Sequence, residues 1–148
     1  MKYRPFNTNF WYDGYIATLN RDEKLFFIYL FTNGRVDKVG IYELPDKFIQ
    51  TDLGLDNKKL TILKGKLEKD RRFYFYKGWI YIANYTDNNS FSTADNVISS
   101  FKKEFDSIPK DIKTYFFKKK EYRLPIENTD KIQVSIKYMV IVIVNRVH

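Results

Sequence analysis

The chain opens with two segments in which apolar residues recur at helical spacing. Apolar side chains four positions apart predict a short helix over Trp11–Leu19. The next segment, Arg21–Asn33, is apolar around most of its circumference, which predicts a central buried helix. Asn20 precedes this segment and Glu23 follows three residues later, a spacing typical of a capping box at a helix start.

Short apolar runs separated by turn residues follow. Gly34, Pro45, Gly54 and Asp56 are residue types that begin or end helices. The predicted elements are a strand over Val39–Leu44, a helix over Pro45–Thr51, a helix over Asn57–Asp70, and two strands, Arg71–Tyr76 and Trp79–Tyr85, joined by a tight turn at Lys77 and Gly78. This order of helices, strand and hairpin predicts a winged helix-turn-helix.

The helix over Asn57–Asp70 has two distinct sides. Leu60, Leu63 and Leu67 recur at helical spacing and predict its buried side. The opposite side carries Lys58, Ile62, Gly65 and Lys69. Elsewhere, the residues predicted to face the core are Phe48, Ile49 and Leu55, and, on one common face of the hairpin, Phe73, Phe75, Trp79 and Tyr81.

The C-terminal part begins with a polar linker after Tyr85. The segment "ADNVISSFKKEFDSIP" then predicts an amphipathic helix with Val97, Phe101 and Phe105 inward, and "KDIKTYFFKKKEY" predicts a further short helix with Ile112, Tyr115 and Phe116 inward. The predicted organisation is a winged helix-turn-helix domain over 1–85, accessory helices over 86–122, and an atypical tail over 123–148. The predicted fold class is therefore α+β and mainly α, with C-terminal accessory helices.

Composition narrows the chemistry that the chain can perform. The 148 residues contain no cysteine and one histidine, His148, which excludes thiol catalysis and disulfides and leaves no internal histidine for a triad or a metal site. No phosphate-loop or nucleophile-elbow motif is present, so we expect a protein that is not an enzyme and has no cofactor or metal. The N-terminus does not resemble a signal peptide, and the apolar run Tyr138–Val144 is too short to span a bilayer, which needs about 20 apolar residues. We expect a cytoplasmic protein, in the cytoplasm or nucleoid of a bacterial host, with no membrane partner.

Positive charge is concentrated on one predicted helix. The net charge of the chain is +8, and Asn57–Arg72 alone has seven basic and two acidic residues. A basic helix in a winged helix-turn-helix can enter the major groove of duplex DNA, while basic residues of the hairpin contact phosphates. The predicted DNA-binding residues are Asn57, Lys58, Lys59, Thr61, Ile62, Lys66, Lys69, Arg71, Arg72 and Lys77. The alternative is that these lysines form only a solvated helix face or a surface for a protein partner.

A second basic stretch lies in the predicted accessory helices. It comprises Lys102, Lys103, Lys110, Lys113, Lys118, Lys119, Lys120 and Arg123, against four acidic residues, Glu104, Asp106, Asp111 and Glu121. Two interpretations remain open. The stretch extends the electrostatic surface for nucleic acid, or it is the outer face of helices whose inner face docks on the first domain or on another copy.

The order of these elements resembles a known family. "LNRDEKLFFIYLFTN", "GIYELP", "LGL", "LEKD", the aromatic hairpin, "ANY" and "ADNVISSFKKEFDSIPKDI" follow one another as in the phage replication initiation proteins, the replisome organisers with a DnaD-like N-terminal winged helix. The resemblance covers Lys2–Tyr122. It implies binding of double-stranded origin DNA, with the recognition helix at Asn57–Asp70 and the wing at Phe73–Ile82. It also implies that a downstream region recruits a helicase or helicase loader.

The tail over 123–148 departs from the family pattern, which continues with a polar, low-complexity region. Its apolar and β-branched composition predicts a strand, and a frameshift relic is the alternative.

Two other functions also fit the predicted fold. One is a transcriptional regulator with the same winged helix, and the other is a scaffold in which the winged helix mediates self-association into a homo-oligomer.

Overall fold

The computed structural model of the chain describes residues 3–83, 85 and 95–119. This described part is mainly helical and contains a small three-stranded antiparallel sheet, which confirms the predicted α+β, mainly α class. The predicted tail over 123–148, the linker after Tyr85 and the end of the last predicted helix lie outside the described residues, as do Lys120 and Arg123 of the second basic stretch.

Ten elements follow one another in the described residues. They are a 3-10 helix Thr8–Tyr12, α1 Gly14–Ala17, α2 Arg21–Thr32, β1 Ile41–Glu43, α3 Asp46–Leu53, α4 Asn57–Lys69, β2 Phe73–Tyr76, β3 Trp79–Ile82, α5 Asp95–Ser107 and α6 Lys110–Lys119. From α2 onward, the predicted elements within this part are present with small shifts at their ends. Helix α3 begins at Asp46, because Pro45 occupies its N-cap, and β1 is shorter than predicted.

The predicted helix over Trp11–Leu19 is wrong. Asp13 has an extended backbone, and its carboxylate accepts hydrogen bonds from the N–H groups of Tyr15 and Ile16. It therefore caps α1 and separates that helix from the 3-10 helix before it. Trp11 and Leu19, which the predicted helix placed on one face, differ in burial: Trp11 is 59% exposed and Leu19 is buried.

The predicted helix starts are confirmed by their hydrogen bonds. Asn20 and Glu23 form the capping box at the start of α2: the Asn20 side chain accepts from the Glu23 N–H at 2.8 Å, and the Glu23 carboxylate accepts from the Asn20 N–H at 2.9 Å. Asp56 caps α4 by accepting from the N–H of Lys59 at 2.8 Å. Gly54 ends α3 with a φ of 65°, in the left-handed region that favours glycine.

The sheet has the strand order β1-β3-β2, with both pairs antiparallel. The hairpin turn predicted at Lys77 and Gly78 is confirmed, with φ values of 48° and 78°. Two consecutive positive φ angles are typical of the turn that joins two strands through two residues.

The register of this hairpin corrects the prediction that its aromatic residues share one face. Tyr74 pairs with Tyr81 and Phe75 pairs with Ile80, so odd positions of β2 lie beside even positions of β3. Phe73 and Phe75 consequently point to one face of the sheet, and Tyr81 points to the other. The prediction failed because a two-residue turn reverses the parity of the paired positions.

The first face of the sheet packs against α2, α3 and α4. The buried residues of this core include Phe26, Phe27 and Leu30 of α2, Ile49 of α3, the three leucines Leu60, Leu63 and Leu67 of α4, and Phe73, Ile80 and Ile82 of the sheet. The predicted inward stripe of α4 is therefore confirmed, and Leu55 is half-buried against the same core. Phe48 was predicted to face this core and does not: it is 37% exposed and belongs to neither buried cluster, because its neighbour Ile49 takes the inward position of α3.

The second face of the sheet packs against α5 and α6. Tyr74 and Tyr81 are buried there with Phe101 and Phe105 of α5, and with Ile112 and Phe116 of α6. Tyr115 stacks on Tyr76 of β2 with ring centroids 3.7 Å apart. The predicted inward positions of the two accessory helices are thus confirmed except at Val97, because Ile98 packs against this core in its place. The two helices cover the sheet, which has helices on both of its faces.

The segment before β1 joins α5 through polar contacts. The backbone N–H of Lys38 donates to the Glu104 carboxylate at 2.9 Å, and the Lys38 ammonium lies 2.9 Å from the Ser100 hydroxyl. Asp37 lies beside Glu104 and accepts the N–H groups of Val39 and Gly40. Burial, followed by the charge of Glu104, raises the pKa of Asp37 to about 7.

Candidate nucleic-acid interface

The exposed face of α4 lies opposite its three buried leucines. We define it as Lys58, Thr61, Ile62, Gly65 and Lys69, all of which are exposed. Ile62 is 62% exposed, and a Cβ added at Gly65 would meet no atom within 4 Å. The face is a strip of basic, small and aliphatic groups that the rest of the described chain leaves uncovered.

The three carboxylates of α4 and its ends are directed away from this face. Asp56 accepts the N–H of Lys59 at the start of the helix, and Glu68 accepts the N–H of Phe75 at 2.9 Å on the neighbouring strand. Asp70 accepts the Tyr15 hydroxyl at 2.7 Å. Each acid therefore has a structural partner at an edge of the helix, and none lies on the exposed face.

Asp70 also neutralises one of the predicted DNA-binding residues. Its carboxylate pairs with Lys66 at 3.0 Å. The hydrogen bond from Tyr15, followed by that from Lys66, holds the pKa of Asp70 below its usual value, so the carboxylate stays ionised and retains its partner. Lys66 is thus paired with a carboxylate at the edge of α4, and its charge is compensated.

Four of the predicted cations at α4 and its C-terminal turn have neither an ion pair nor a ring contact within the described residues. They are Lys58, Lys59, Lys69 and Arg71. Because the acids of the same segment are occupied elsewhere, these side chains present uncompensated positive charge to the solvent.

Arg71 and Lys77 share an unusual backbone conformation. They are the non-glycine residues with positive φ in the described chain, at 57° and 48°. After α4, the N–H of Arg71 bonds the carbonyl of Glu68, and the N–H of Arg72 bonds that of Leu67, which is the arrangement that usually has glycine at the Arg71 position. A side chain there costs about 1 kcal/mol. Both strained positions hold basic residues that the sequence assigned to DNA binding.

The other predicted residues have local partners. The Asn57 side chain accepts from Gln50 at 2.6 Å, and the Thr61 hydroxyl donates to the Asn57 carbonyl at 2.8 Å. The Arg72 guanidinium lies 4.0 Å from the centre of the Tyr15 ring. These contacts order the side chains without adding negative charge.

Lys77 differs from the other nine predicted residues, because it is held by an accessory helix. Its ammonium lies 3.8 Å from the Asp111 carboxylate of α6 and 5.2 Å from the centre of the Tyr76 ring, which itself stacks on Tyr115. The structure thus gathers nine predicted residues on α4 and the turn that follows it, and it joins the hairpin turn to α6.

The second basic stretch is partly consumed by packing. Lys113 is only 7% exposed and lies 4.6 Å from the centre of the Phe105 ring, and its burial lowers its pKa. Two acids of the stretch, Glu104 and Asp111, pair with Lys38 and Lys77 of the first predicted domain. The inner faces of α5 and α6 therefore fit the second interpretation of this stretch, in which the helices dock on the first domain.

Sequence reasoning missed a basic pair formed by Arg35, in the segment between α2 and β1, and Lys47 of α3. Arg35 and Lys47 both approach the ring of Phe48, at 4.5 and 5.3 Å from its centre. Because Phe48 was assigned to the core and no role was predicted for Arg35, no periodic signal connected the three residues before the fold brought them together.

Two observations bound the chemistry of the described residues. They contain no group of three or more histidine, aspartate or glutamate side chains that could hold a metal ion. None of their helices has both the length and the apolar character that crossing a bilayer requires.

Comparison of the chain with protein-family models, curated proteins and solved structures finds no significant match. The resemblance to phage replication initiation proteins therefore stays a prediction from the sequence.

Proposed function

We propose that this chain binds double-stranded DNA through the exposed face of α4, as a winged helix-turn-helix with accessory helices. The element order supports this assignment: α2, β1, α3, α4 and the β2–β3 hairpin follow the order of that fold, and β1 pairs with the second hairpin strand. Helix α4 then takes the position of the recognition helix, and the hairpin takes that of the wing.

The observation that carries the proposal is the separation of charge on α4. The acids Asp56, Glu68 and Asp70 have partners at the helix edges, whereas Lys58 and Lys69 lie unpaired on the exposed face. A helix that needed charge only for solubility would keep acids and bases mixed on its solvated face. An exposed face with only positive charge fits a polyanion.

The uncharged groups of the same face suit the major groove. The Thr61 methyl and the Ile62 side chain can contact a thymine methyl group, and Lys58, near the helix N-terminus, can reach a guanine edge or a phosphate. Gly65 gives the helix backbone room to approach a surface closely. We therefore expect base contacts from Lys58, Thr61 and Ile62 and phosphate contacts from Lys59, Lys69 and Arg71.

The biological role that we propose is initiation of phage or prophage replication at an origin, without enzymatic activity of its own. This step depends on the resemblance over Lys2–Tyr122 and includes recruitment of a helicase or helicase loader. A transcriptional regulator would use the same helix. A binding site within a promoter, with no affinity for replication proteins, would favour the regulator over the initiator.

The exposed Ile62 beside Gly65 favours the scaffold as the second candidate, because apolar and small residues suit helix–helix packing. Charge argues against a second copy as the occupant. Two such faces in contact would bring lysines together with no carboxylate between them, which is unfavourable. A duplex has no such penalty.

The proposal is tested by fluorescence anisotropy with a labelled random duplex, titrated at several salt concentrations. We expect binding at low salt and a negative slope of log K against log salt, because phosphate neutralisation releases counterions. Lys58→Glu with Lys69→Glu should lower affinity by roughly 10- to 100-fold and reduce the magnitude of the slope by about 1, for the lost phosphate contact of Lys69.

The matched control reverses two exposed lysines of α5, with Lys102→Glu and Lys103→Glu. The two double variants change the net charge equally, so equal losses of affinity would mean that binding follows total charge and that α4 has no special role. If the protein has no affinity for the duplex at low salt, and sedimentation shows a concentration-dependent oligomer, the scaffold is the better description.

A further inference from the structure

Arg35, in the segment between α2 and β1, and Lys47 of α3 form a basic pair that lies outside the ten predicted DNA-binding residues. The Arg35 guanidinium and the Lys47 ammonium are 4.5 and 5.3 Å from the centre of one ring, that of Phe48, within the range of favourable cation–π contact. Phe48 is 37% exposed, so the ring is a surface platform that holds two cations at a defined place.

Neither cation has a counter-charge within ion-pair distance among the described residues. The two acids of α3 are used elsewhere: Asp46 pairs with Lys64 of α4, and Asp52 accepts the Tyr29 hydroxyl of α2 at 2.6 Å. Two like charges share one ring without a carboxylate partner, and an anion bound beside them would relieve their mutual repulsion.

The place of this pair follows from the contacts of α3. One side of the helix faces α4, through the Asp46–Lys64 pair and the hydrogen bond from Gln50 to Asn57. Ile49 points into the core. The remaining side carries Lys47, which lies one helical step from Asp46 and is exposed. Because the neighbouring Asp46 pairs with Lys64, Lys47 lies level with the middle of α4, on the helix that packs beside it.

From this arrangement we propose that Arg35 and Lys47, ordered on Phe48, form a phosphate-binding site that holds the sugar–phosphate backbone beside the groove entered by α4. The ligand is a backbone phosphate of duplex DNA, so the inference rests on the proposed function. A guanidinium offers a planar fork of donors to phosphate oxygens, and an ammonium adds a point charge. Such contacts fix the register of the protein on the duplex and carry no base preference.

The experiment compares three variants by anisotropy on two random duplexes of different base composition. Arg35→Ala with Lys47→Ala should lower the affinity by about 10-fold for both duplexes and reduce the magnitude of the salt slope by about 2, one for each lost phosphate contact. Phe48→Leu keeps both charges and removes the ring that orders them, so it should weaken binding about threefold with little change in the salt slope.

The matched control is Lys102→Ala with Lys103→Ala, which removes the same charge from α5. If the wild type binds through α4 and the Arg35/Lys47 variant loses no more affinity than this control, the phosphate site is overturned and the proposed function stands. If the wild type does not bind either duplex, both fall. An effect on one duplex alone would show base recognition and would also overturn a phosphate site.

Discussion

Helix α4 and the helix pair α5–α6 both carry more basic than acidic residues, and the fold uses these charges differently. In α4 the acids satisfy partners at the helix edges, such as Glu68 with the Phe75 N–H, and the lysines of the exposed face remain unpaired. In α5 and α6, two of the four acids pair with residues earlier in the chain: Glu104 with Lys38 and Asp111 with Lys77.

The apolar sides of the two regions differ in the same way. Both regions bury one stripe of apolar side chains. Helix α4 also exposes Ile62 on its opposite face, whereas Phe101, Phe105, Ile112 and Phe116 of α5 and α6 are buried against the sheet. A charge surplus in the sequence therefore does not identify a binding surface by itself. The destination of the carboxylates decides which surplus is available to a ligand.

The largest expected effect concerns α5 and α6, the helices that dock on the sheet. Phe105→Ala removes a fully buried ring from the core shared by α5, α6 and the sheet, and should lower the free energy of unfolding by about 3–5 kcal/mol. Ile62→Ala on the exposed face of α4 should change it by less than about 0.5 kcal/mol. Urea denaturation followed by tryptophan fluorescence measures both. A loss below about 1 kcal/mol for Phe105→Ala would contradict the docking of α5.

The second effect concerns pH at the contact between α5 and the segment before β1. The pKa of Asp37 is raised from 3.8 to about 7, so its contribution to stability is complete below pH 3.8 and is lost as pH rises through about 7. Asp37→Asn keeps an oxygen that can accept from Val39 and Gly40 and has no charge to repel Glu104.

We expect Asp37→Asn to raise the free energy of unfolding by on the order of 2 kcal/mol at pH 8, and by progressively less as pH falls towards 4. Urea denaturation at several pH values measures the difference between variant and wild type, in which the other titrating groups cancel. A gain that does not depend on pH would mean that ionisation of Asp37 is not its cause.

The third effect separates stability from binding on α4. Gly65→Ala adds a methyl group where no atom lies within 4 Å, so the free energy of unfolding should rise by about 1 kcal/mol. The same methyl group should weaken duplex binding, because it blocks close approach of the helix backbone. Ser99→Ala, an exposed change on α5, is the control. Thermal denaturation measures the expected rise in stability, and anisotropy measures the expected fall in duplex affinity. Unchanged affinity would place the duplex away from Gly65.

The fourth effect uses the strained turn after α4. Arg71→Gly relieves a φ of 57° and should raise the free energy of unfolding by up to about 1 kcal/mol, while lowering affinity for every duplex tested. Arg71→Lys keeps the charge and should retain near-wild-type affinity. If Arg71→Gly binds DNA as tightly as the wild type, the strain at this position has no connection with binding.

The smallest effect tests the link between the two regions. Asp111→Asn removes the partner of Lys77, both of them well exposed, and should change the free energy of unfolding by less than about 0.5 kcal/mol. It should raise duplex affinity a few-fold if the freed Lys77 meets a phosphate. Asp95→Asn removes the same charge from the first turn of α5 and is the control. Equal effects of the two variants would exclude a specific role for the Lys77–Asp111 pair.

Several features followed from the sequence because they depend on near neighbours in the chain. The Asn20–Glu23 capping box, the turn at Lys77 and Gly78 and the buried leucines of α4 each arise from residues within a few positions of one another. Local spacing carries that information. The break of the first helix at Asp13 was missed because the apolar spacing was given more weight than the capping potential of an aspartate.

The remaining features were decided by tertiary structure, since they join residues far apart in the chain. The hairpin register sent Phe73 and Tyr81 to opposite faces of the sheet, and the second face then received α5 and α6. Likewise, only folding turned Asp70 towards Tyr15 and brought Arg35 and Lys47 to one ring. The sequence by itself determined which residues carry charge and which helix concentrates it, because composition and periodicity are local properties. Which charges stay unpaired depends on contacts between residues that lie tens of positions apart in the sequence, and these contacts exist only in the folded chain.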